Sequence, residues 1–311
     1  MRIVVIGVGG VGGYFGGRLV QAREDVVFIA RGETLQALRT KGLKVESVKG
    51  DFALPSIQVT DDPKQVGPAD AILLAVKSWQ VPEMIDVLRP IIGPETFIVP
   101  LQNGVEAPGQ LADAFGKERV LGGLARILSY QIGPGEIRHI GAEPSLAFGE
   151  MDNQKSERAE RLRQAFAGAG VTAEIPQDIN VALWTKLLFV ASWGGVGAVT
   201  RAPIGVLRSL PETRQMIEQA MREIIAVART RNVIMPEETA GRAMTIIDKM
   251  PPNGTPSLQR DIIEGKPSEL DAWNGVVVRL GKEGGIATPL HSFIYQSLLP
   301  LELQARGKLE F

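Results

Sequence analysis

Gly7-Val8-Gly9-Gly10-Val11-Gly12 is a G-x-G-x-x-G run that directly follows the apolar stretch Arg2-Ile3-Val4-Val5-Ile6. Each glycine meets a different need. One makes a tight turn, one lets the backbone approach a pyrophosphate, and one lets a helix pack on a strand. A helix that opens here offers phosphate unpaired N–H groups and a partial positive charge. The run alone is a weak signal, but between a strand and a helix it specifies a dinucleotide site. Gly7, Gly9, Gly10, Val11 and Gly12 are therefore the expected cofactor cradle.

The end of the next strand selects the dinucleotide. An acidic residue about 20 positions on would bond the ribose 2′-hydroxyl of NAD. The chain carries Ala30-Arg31-Gly32 there instead. A guanidinium can pair a 2′-phosphate and stack on adenine, which favours NADP (NADPH) over the plain reading of Arg31 as a solvated surface residue. Lys77 follows the apolar run Ala71 to Val76, and Asn103-Gly104 follows Pro100-Leu101-Gln102. Both stand at the sheet edge where ligands of open α/β sheets bind. A lysine finishing a strand and an Asn-Gly turn are the ordinary alternatives.

Lys186 lies in Leu183-Trp184-Thr185-Lys186-Leu187-Leu188-Phe189. At helical spacing its stripe also holds Ala182, Leu183, Phe189, Val190 and Trp193. Such a lysine either snorkels to water or sits in a dry cleft, where desolvation lowers its pKa towards that of a general acid. Ser257 is a further polar candidate whose ordinary role is a helix cap. Ser268-Glu269-Leu270-Asp271 reads as a capping box with acids in the first turn, which needs no chemistry of Glu269.

The elements that must position these residues fall into two halves. Short β-branched runs alternate with helical stretches up to about residue 176. Continuous apolar strands between helices indicate a parallel sheet covered on both faces. Gly133-Pro134-Gly135 between two alternating runs predicts antiparallel strands closing that sheet. Beyond Pro176 the periodicities are helical: 179–193, 211–231, 236–249, 257–264, 268–282 and 289–304. The fold class is α/β, an N-terminal Rossmann-type doubly wound sheet followed by an all-α C-terminal domain, with residues 1–176 binding NADP and 177–311 carrying substrate chemistry. The loop Pro251-Pro252-Asn253-Gly254-Thr255-Pro256 reads as the mobile edge of a cleft.

Composition removes several function classes. The 311 residues include 34 Lys plus Arg against 35 Asp plus Glu, with a net charge of -1, which argues against a nucleic-acid partner. There is no cysteine, and two histidines are too few for a histidine-rich metal centre. No metal is expected. The apolar run Ile3 to Ile6 is too short for a signal peptide. The run Leu187 to Val199 is too short and too glycine-broken to span a bilayer. A cytoplasmic protein without a membrane partner is the expectation. Tyr14, Tyr130 and Tyr295 all lack a lysine four residues on, which argues against a short-chain dehydrogenase. His139 and His291 read as ordinary surface or core residues.

Gly7 to Gly12, Arg31, Ala75-Val76-Lys77-Ser78-Trp79-Gln80, Gln102-Asn103-Gly104, Gly133-Pro134-Gly135, Trp184-Thr185-Lys186-Leu187, and Ser257 with Asp261 and Glu269 occur in order along the chain. In this ordered set the sequence resembles the ketopantoate reductase (2-dehydropantoate 2-reductase) family. The resemblance implies NADPH-dependent reduction of a 2-oxo acid. Lys186 would give the proton to the carbonyl oxygen, and Glu269 would orient substrate or that lysine. Ser257 would contact the substrate carboxylate, and Lys77 and Asn103 would line the nicotinamide and substrate pocket. One departure bears on the substrate. The family usually carries asparagines four and eight residues after the lysine, where this chain has Val190 and Gly194. Ser192 and Thr200 are the polar side chains that could replace them. Ketopantoate is the first substrate expectation; a branched or aromatic 2-oxo acid in an apolar pocket opened by Val190 and Gly194 is the second. A non-catalytic NADP sensor is the third. A homodimer through the helical half is compatible with the sequence, though no motif specifies it.

Overall fold

Apolar runs of four or five residues cannot bury both faces alone, and here they assemble edge to edge. A computed structural model describes the backbone of residues 1–311 and every side chain except that of residue 142. The chain divides into two compact units, residues 1–102 with 106–179, and residues 103–105 with 180–311. A division at residue 176 does not anticipate that Asn103 to Val105 belong to the helical unit.

In chain order the first unit contains β1 (Arg2–Ile6), α1 (Gly10–Gln21), β2 (Asp25–Ile29), α2 (Gly32–Lys41), β3 (Leu43–Ser47), β4 (Phe52–Leu54), β5 (Gln58–Thr60), β6 (Ala71–Leu74), α3 (Val81–Leu88), β7 (Phe97–Pro100), α4 (Ala107–Phe115), β8 (Leu121–Gly133), β9 (Glu136–Glu150), α5 (Glu157–Gly168) and β10 (Thr172–Glu174). One sheet has the order β5-β2-β1-β6-β7, with every pairing parallel. Alternate residues of β1 enter different cores, Ile3 and Val5 one and Val4 and Ile6 the other. Both faces are covered, which is why the strands read as unbroken apolar runs. The order reverses direction at β1, and this switch point is where open α/β sheets bind ligands.

The hairpin at Gly133-Pro134-Gly135 is antiparallel as expected. It does not close the parallel sheet. The long strands β8 and β9 belong to a second five-stranded sheet with β3, β4 and β10. The sequence reading missed β3, β4 and β5, which are three to five residues long and too short to show a period.

The helix α1 lies between the two sheets, and this explains the crowding of glycine. A Cβ on Gly16 would come 2.5 Å from Phe28 of the parallel sheet, and one on Gly13 2.9 Å from Ile137 of the other. Glycine brings both sheets close to one helix, beyond what the dinucleotide motif asks.

The second unit contains α6 (Ile179–Thr200), α7 (Ile204–Ser209), α8 (Pro211–Thr230), α9 (Thr239–Lys249), α10 (Ser257–Ile263), α11 (Val276–Glu283) and α12 (Pro289–Ala305). The expected helix 268–282 begins instead as a π-helical turn, Asp271–Gly275. Such turns are rare and concentrate at functional sites. Helix α6 runs seven residues past its expected end at 193 and is, with 22 residues, long and apolar enough to cross a membrane. Two-thirds of its most apolar window is buried inside the fold (67%). Leu187, Leu188, Ala191 and Val196 are fully buried in the core of the second unit.

The proline-rich loop 251–256 is tied down rather than loose. Gly254 N donates to Pro251 O, Ile204 N to Gly254 O and Gly205 N to Pro252 O, at 2.8–3.0 Å. Arg208 Nη1 also donates to Met250 O at 2.7 Å.

Candidate active site

In the first unit the strand register brings the chemistry to one edge. Ile6 pairs with Ile29 and Leu74, and Leu74 with Pro100. The segments that follow therefore leave the sheet side by side: the glycine loop, Ala30-Arg31, Ala75 to Lys77, and Leu101-Gln102. Gly7 turns the chain at φ +92, a region open to glycine. A Cβ on Gly12 would sit 2.0 Å from Gly7 O, so the helix can meet the loop only without one.

Gly9 is the N-cap of α1 and carries no side-chain cap, and the first turn holds no acid. The leading N–H groups of a helix lack intrahelical partners. A Cβ on Gly9 would meet nothing within 4 Å, so the cradle faces open space at the point where a pyrophosphate must approach. The residues present fit a dinucleotide. Val11, in the first turn, is half-buried. Arg31 is exposed and extended at the N-cap of α2, with no carboxylate at the end of β2. Lys77 is also exposed; its N donates to Gln80 Oε1 at 3.1 Å and its ammonium lies 5.7 Å from the Trp79 ring centre.

Two residues to which sequence reasoning assigned no role support this edge. Gln102 is buried, and its Nε2 donates to Leu74 O at 2.8 Å and Val76 O at 3.1 Å, which fixes the turn that carries Lys77. Its Oε1 is buried without a partner, as is Ser129 Oγ beside Gly10. A glutamine within a turn triplet gives no sequence signal of such a clamp.

In the second unit Asn103 Nδ2 donates to Glu269 Oε2 at 3.0 Å, across 166 positions of sequence. Glu269 is only 6% exposed. Ser268 Oγ takes the cap-like role, accepting from Leu270 N at 3.2 Å, while Asp271 Oδ1 accepts from Arg279 Nη1 at 2.7 Å. Lys186 is half-buried on α6 between buried Leu183 and Leu187. Ser257 is half-buried at the first position of α10, where Pro256 is the N-cap, so it is not the cap residue.

Gly194, two turns beyond Lys186, is where the other segments converge. A Cβ there would lie 2.9 Å from Trp273 Cζ3 and 3.6 Å from Pro256 Cβ. The indole follows Glu269 by four residues and the proline precedes Ser257. Gly194 therefore does not open a pocket; Trp273 occupies that space. Neither hydroxyl considered as a replacement is available. Ser192 is fully buried, and Thr200 Oγ1 donates to Val196 O at 2.8 Å.

Both histidines are core residues. His139 Nδ1 lies 2.8 Å from Ser47 Oγ. His291 Nε2 lies 3.1 Å from Ala220 O, which only a donor can satisfy, so Nδ1 accepts from Asn274 Nδ2 at 3.0 Å. Burial holds the His291 pKa below its usual value, against the opposing pull of Glu223. Among the described residues no group of three or more His, Asp or Glu could hold a metal ion.

Known proteins match both units of the chain. Residues 3–153 match the model for ketopantoate reductase PanE/ApbA, and residues 178–302 match the model for its C-terminal domain. An uncharacterized oxidoreductase, YkpB of Bacillus subtilis, is 32% identical over 307 residues, 98% of this chain and 100% of that protein. The crystal structure of 2-dehydropantoate 2-reductase from Geobacter metallireducens superposes with a TM-score of 0.90 at 31% identity, covering 96% of this chain and 99% of that one. D-mandelate dehydrogenase, solved with NADH and anilino(oxo)acetate, shares the fold with a TM-score of 0.90 at 21% identity, covering 98% of this chain and 100% of that one. The chain is an oxidoreductase that uses a nicotinamide cofactor, and it belongs to the ketopantoate reductase family.

Proposed function

We propose that the protein reduces 2-dehydropantoate (ketopantoate) to D-pantoate with NADPH, in the cytoplasm and in the service of pantothenate synthesis. The observation that carries this reading is the buried Glu269 carboxylate held by Asn103 in the unit that also carries Lys186. Reduction of a 2-oxo acid requires one hydride, one proton and a cradle for the carboxylate. NADPH, when bound, supplies the hydride. Gly7, Gly9, Gly10, Val11 and Gly12 would hold its pyrophosphate, Arg31 its 2′-phosphate, and Lys77 would line the nicotinamide end. The Lys186 ammonium gives its proton to the carbonyl oxygen as charge develops there. Glu269 and Asn103 orient the lysine and the substrate, and Ser257 donates to the substrate carboxylate.

A second reading keeps the chemistry and changes the acid. Val190, and Gly194 beneath Trp273, offer no amide to a substrate hydroxyl, and hydrogen-bonded groups carry the large specificity terms. A branched or aromatic 2-oxo acid without that hydroxyl needs no such amide, and the fold is shared with D-mandelate dehydrogenase. The test follows NADPH absorbance with ketopantoate, 3-methyl-2-oxobutanoate and phenylglyoxylate. The highest kcat/KM is expected with ketopantoate. A higher value with either other acid would establish the second reading. Tight NADPH binding without turnover of any acid would leave a sensor of NADP.

A further inference from the structure

We propose that Glu302 on α12 and Arg306, the C-cap of that helix one turn on, are the positioning pair for the Glu269 carboxylate. The inference rests on the reading of Glu269 as part of the substrate site. Residues 263–266, ahead of it, are exposed and include Gly265 at φ +63, and the Glu269 carbonyl accepts from Trp273 N at 3.0 Å. Ser268 ties this segment to the last helix. Its N donates to Glu302 Oε1 at 3.2 Å and Oε2 at 3.0 Å, and its Oγ donates to Glu302 Oε2. Its carbonyl accepts from Arg306 Nη2 at 3.0 Å, and Arg306 Nε donates to Glu302 Oε1 at 2.6 Å. All three polar groups of Ser268 are thus held by one ion pair, and the same hydroxyl accepts from Leu270 N at 3.2 Å. Glu269 is bracketed on both sides.

Glu302 is 5% exposed. A buried carboxylate is retained against its desolvation only where donors surround it, and an apolar residue would serve bare packing as well or better. Two of the donors belong to Ser268, and the Ser268 carbonyl, in the peptide that joins it to Glu269, accepts from Arg306. Small displacements of a substrate-orienting group have large effects on rate, so the pair acts on turnover through Glu269.

The test is a double-mutant cycle on the full chain, with Glu302→Gln, Glu269→Gln and the double variant. The measurements are kcat with saturating ketopantoate, or 3-methyl-2-oxobutanoate where that is faster, and NADPH Kd by fluorescence. Glu302→Gln is expected to lower kcat by about 10- to 100-fold, to leave NADPH Kd unchanged, and to add nothing in the Glu269→Gln background. An equal loss in both backgrounds would show a general structural effect and overturn the proposal. Full kcat in Glu302→Gln, with Glu269→Gln impaired, would overturn the positioning alone. Full kcat in Glu269→Gln would break the reading of the site and this inference with it. Should Glu302→Gln fail to fold, Ser268→Ala removes the hydroxyl bridge, leaves the ion pair intact and enters the same cycle.

Discussion

Two glycine-bearing helices do different work in this chain. In α1 Gly13, Gly16 and Gly17 face apolar side chains of the two sheets, Gly10 faces Ser129 and Gly12 the Gly7 carbonyl, while Gly9 at the N-cap faces open space. In α6 the glycines face polar and aromatic groups: Gly194 meets Trp273, Gly195 meets Asn274 Nδ2 at 2.7 Å, and Gly197 meets Gln259 Oε1 at 2.6 Å. Trp273 Nε1, Asn274 Oδ1 and Gln259 Oε1 are all buried without hydrogen-bond partners. The first helix is thinned so that a ligand and two sheets can approach its backbone. The second is thinned so that the helix bearing Lys186 can press against the π-helical turn after Glu269. One residue type thus marks a binding element in one unit and a packing element in the other.

The contrast can be broken at Lys186 first. Replacing it with alanine should lower kcat by roughly 10²–10⁴-fold, as for a lost general acid, with NADPH Kd unchanged. Near-normal turnover would remove α6 from the chemistry. Next come two glycines of the first unit. Gly12→Val drives a side chain into the Gly7 carbonyl and should destabilise the fold by about 3 kcal/mol or more in a denaturant melt. Gly9→Ala should leave the melt within about 0.5 kcal/mol while weakening NADPH in a fluorescence titration. Equal behaviour of the two variants would contradict the division between packing and ligand approach.

Arg31→Ala should weaken NADPH by about 1.5–3 kcal/mol, the scale of a charged hydrogen bond, and leave NADH unchanged. Equal loss for both cofactors would remove the 2′-phosphate contact. Gly194→Asn, which introduces an amide at this position, should destabilise the second unit by about 1–3 kcal/mol through collision with Trp273. Combination with Trp273→Leu should recover part of that loss; no recovery would show that the indole is not the obstacle.

The smallest expected effect is of pH. His291 is neutral in the fold and its pKa is depressed by burial, so below about pH 6.5 the unfolded chain binds the extra proton. Stability should be complete above that value and fall as pH drops towards the folded pKa, by up to about 1.4 kcal/mol per unit. A melt that is flat between pH 7 and 5 would contradict the assignment.

Much of the first unit was legible because its signals are local. A strand, a glycine run and a helix start lie within a dozen residues, and the charge that replaces the usual acid sits at Arg31. The three short strands between residues 43 and 60 were not legible: β3 and β4 pair with each other, but strands of three to five residues show no period, and the further partners, β9 for β3 and β2 for β5, lie far off in sequence. In the second unit Lys186, Ser257 and Glu269 could be named individually, while their ordinary readings stayed equally available. Asn103 pairing with Glu269 across 166 residues carries no trace in either segment. Nor does Ser268 show that its hydroxyl and amide both serve Glu302 on the last helix.

The sequence alone determined the glycine turn between β1 and α1, the parallel sheet and the helical second half, since each follows from backbone freedom and apolar period within one segment. Only the tertiary structure decided that Trp273 fills the space beside Gly194, that Gln102 clamps the turn carrying Lys77, and that α12 holds the segment of Glu269. Those are contacts between side chains far apart in sequence. Burial makes them strong, and no local propensity encodes them.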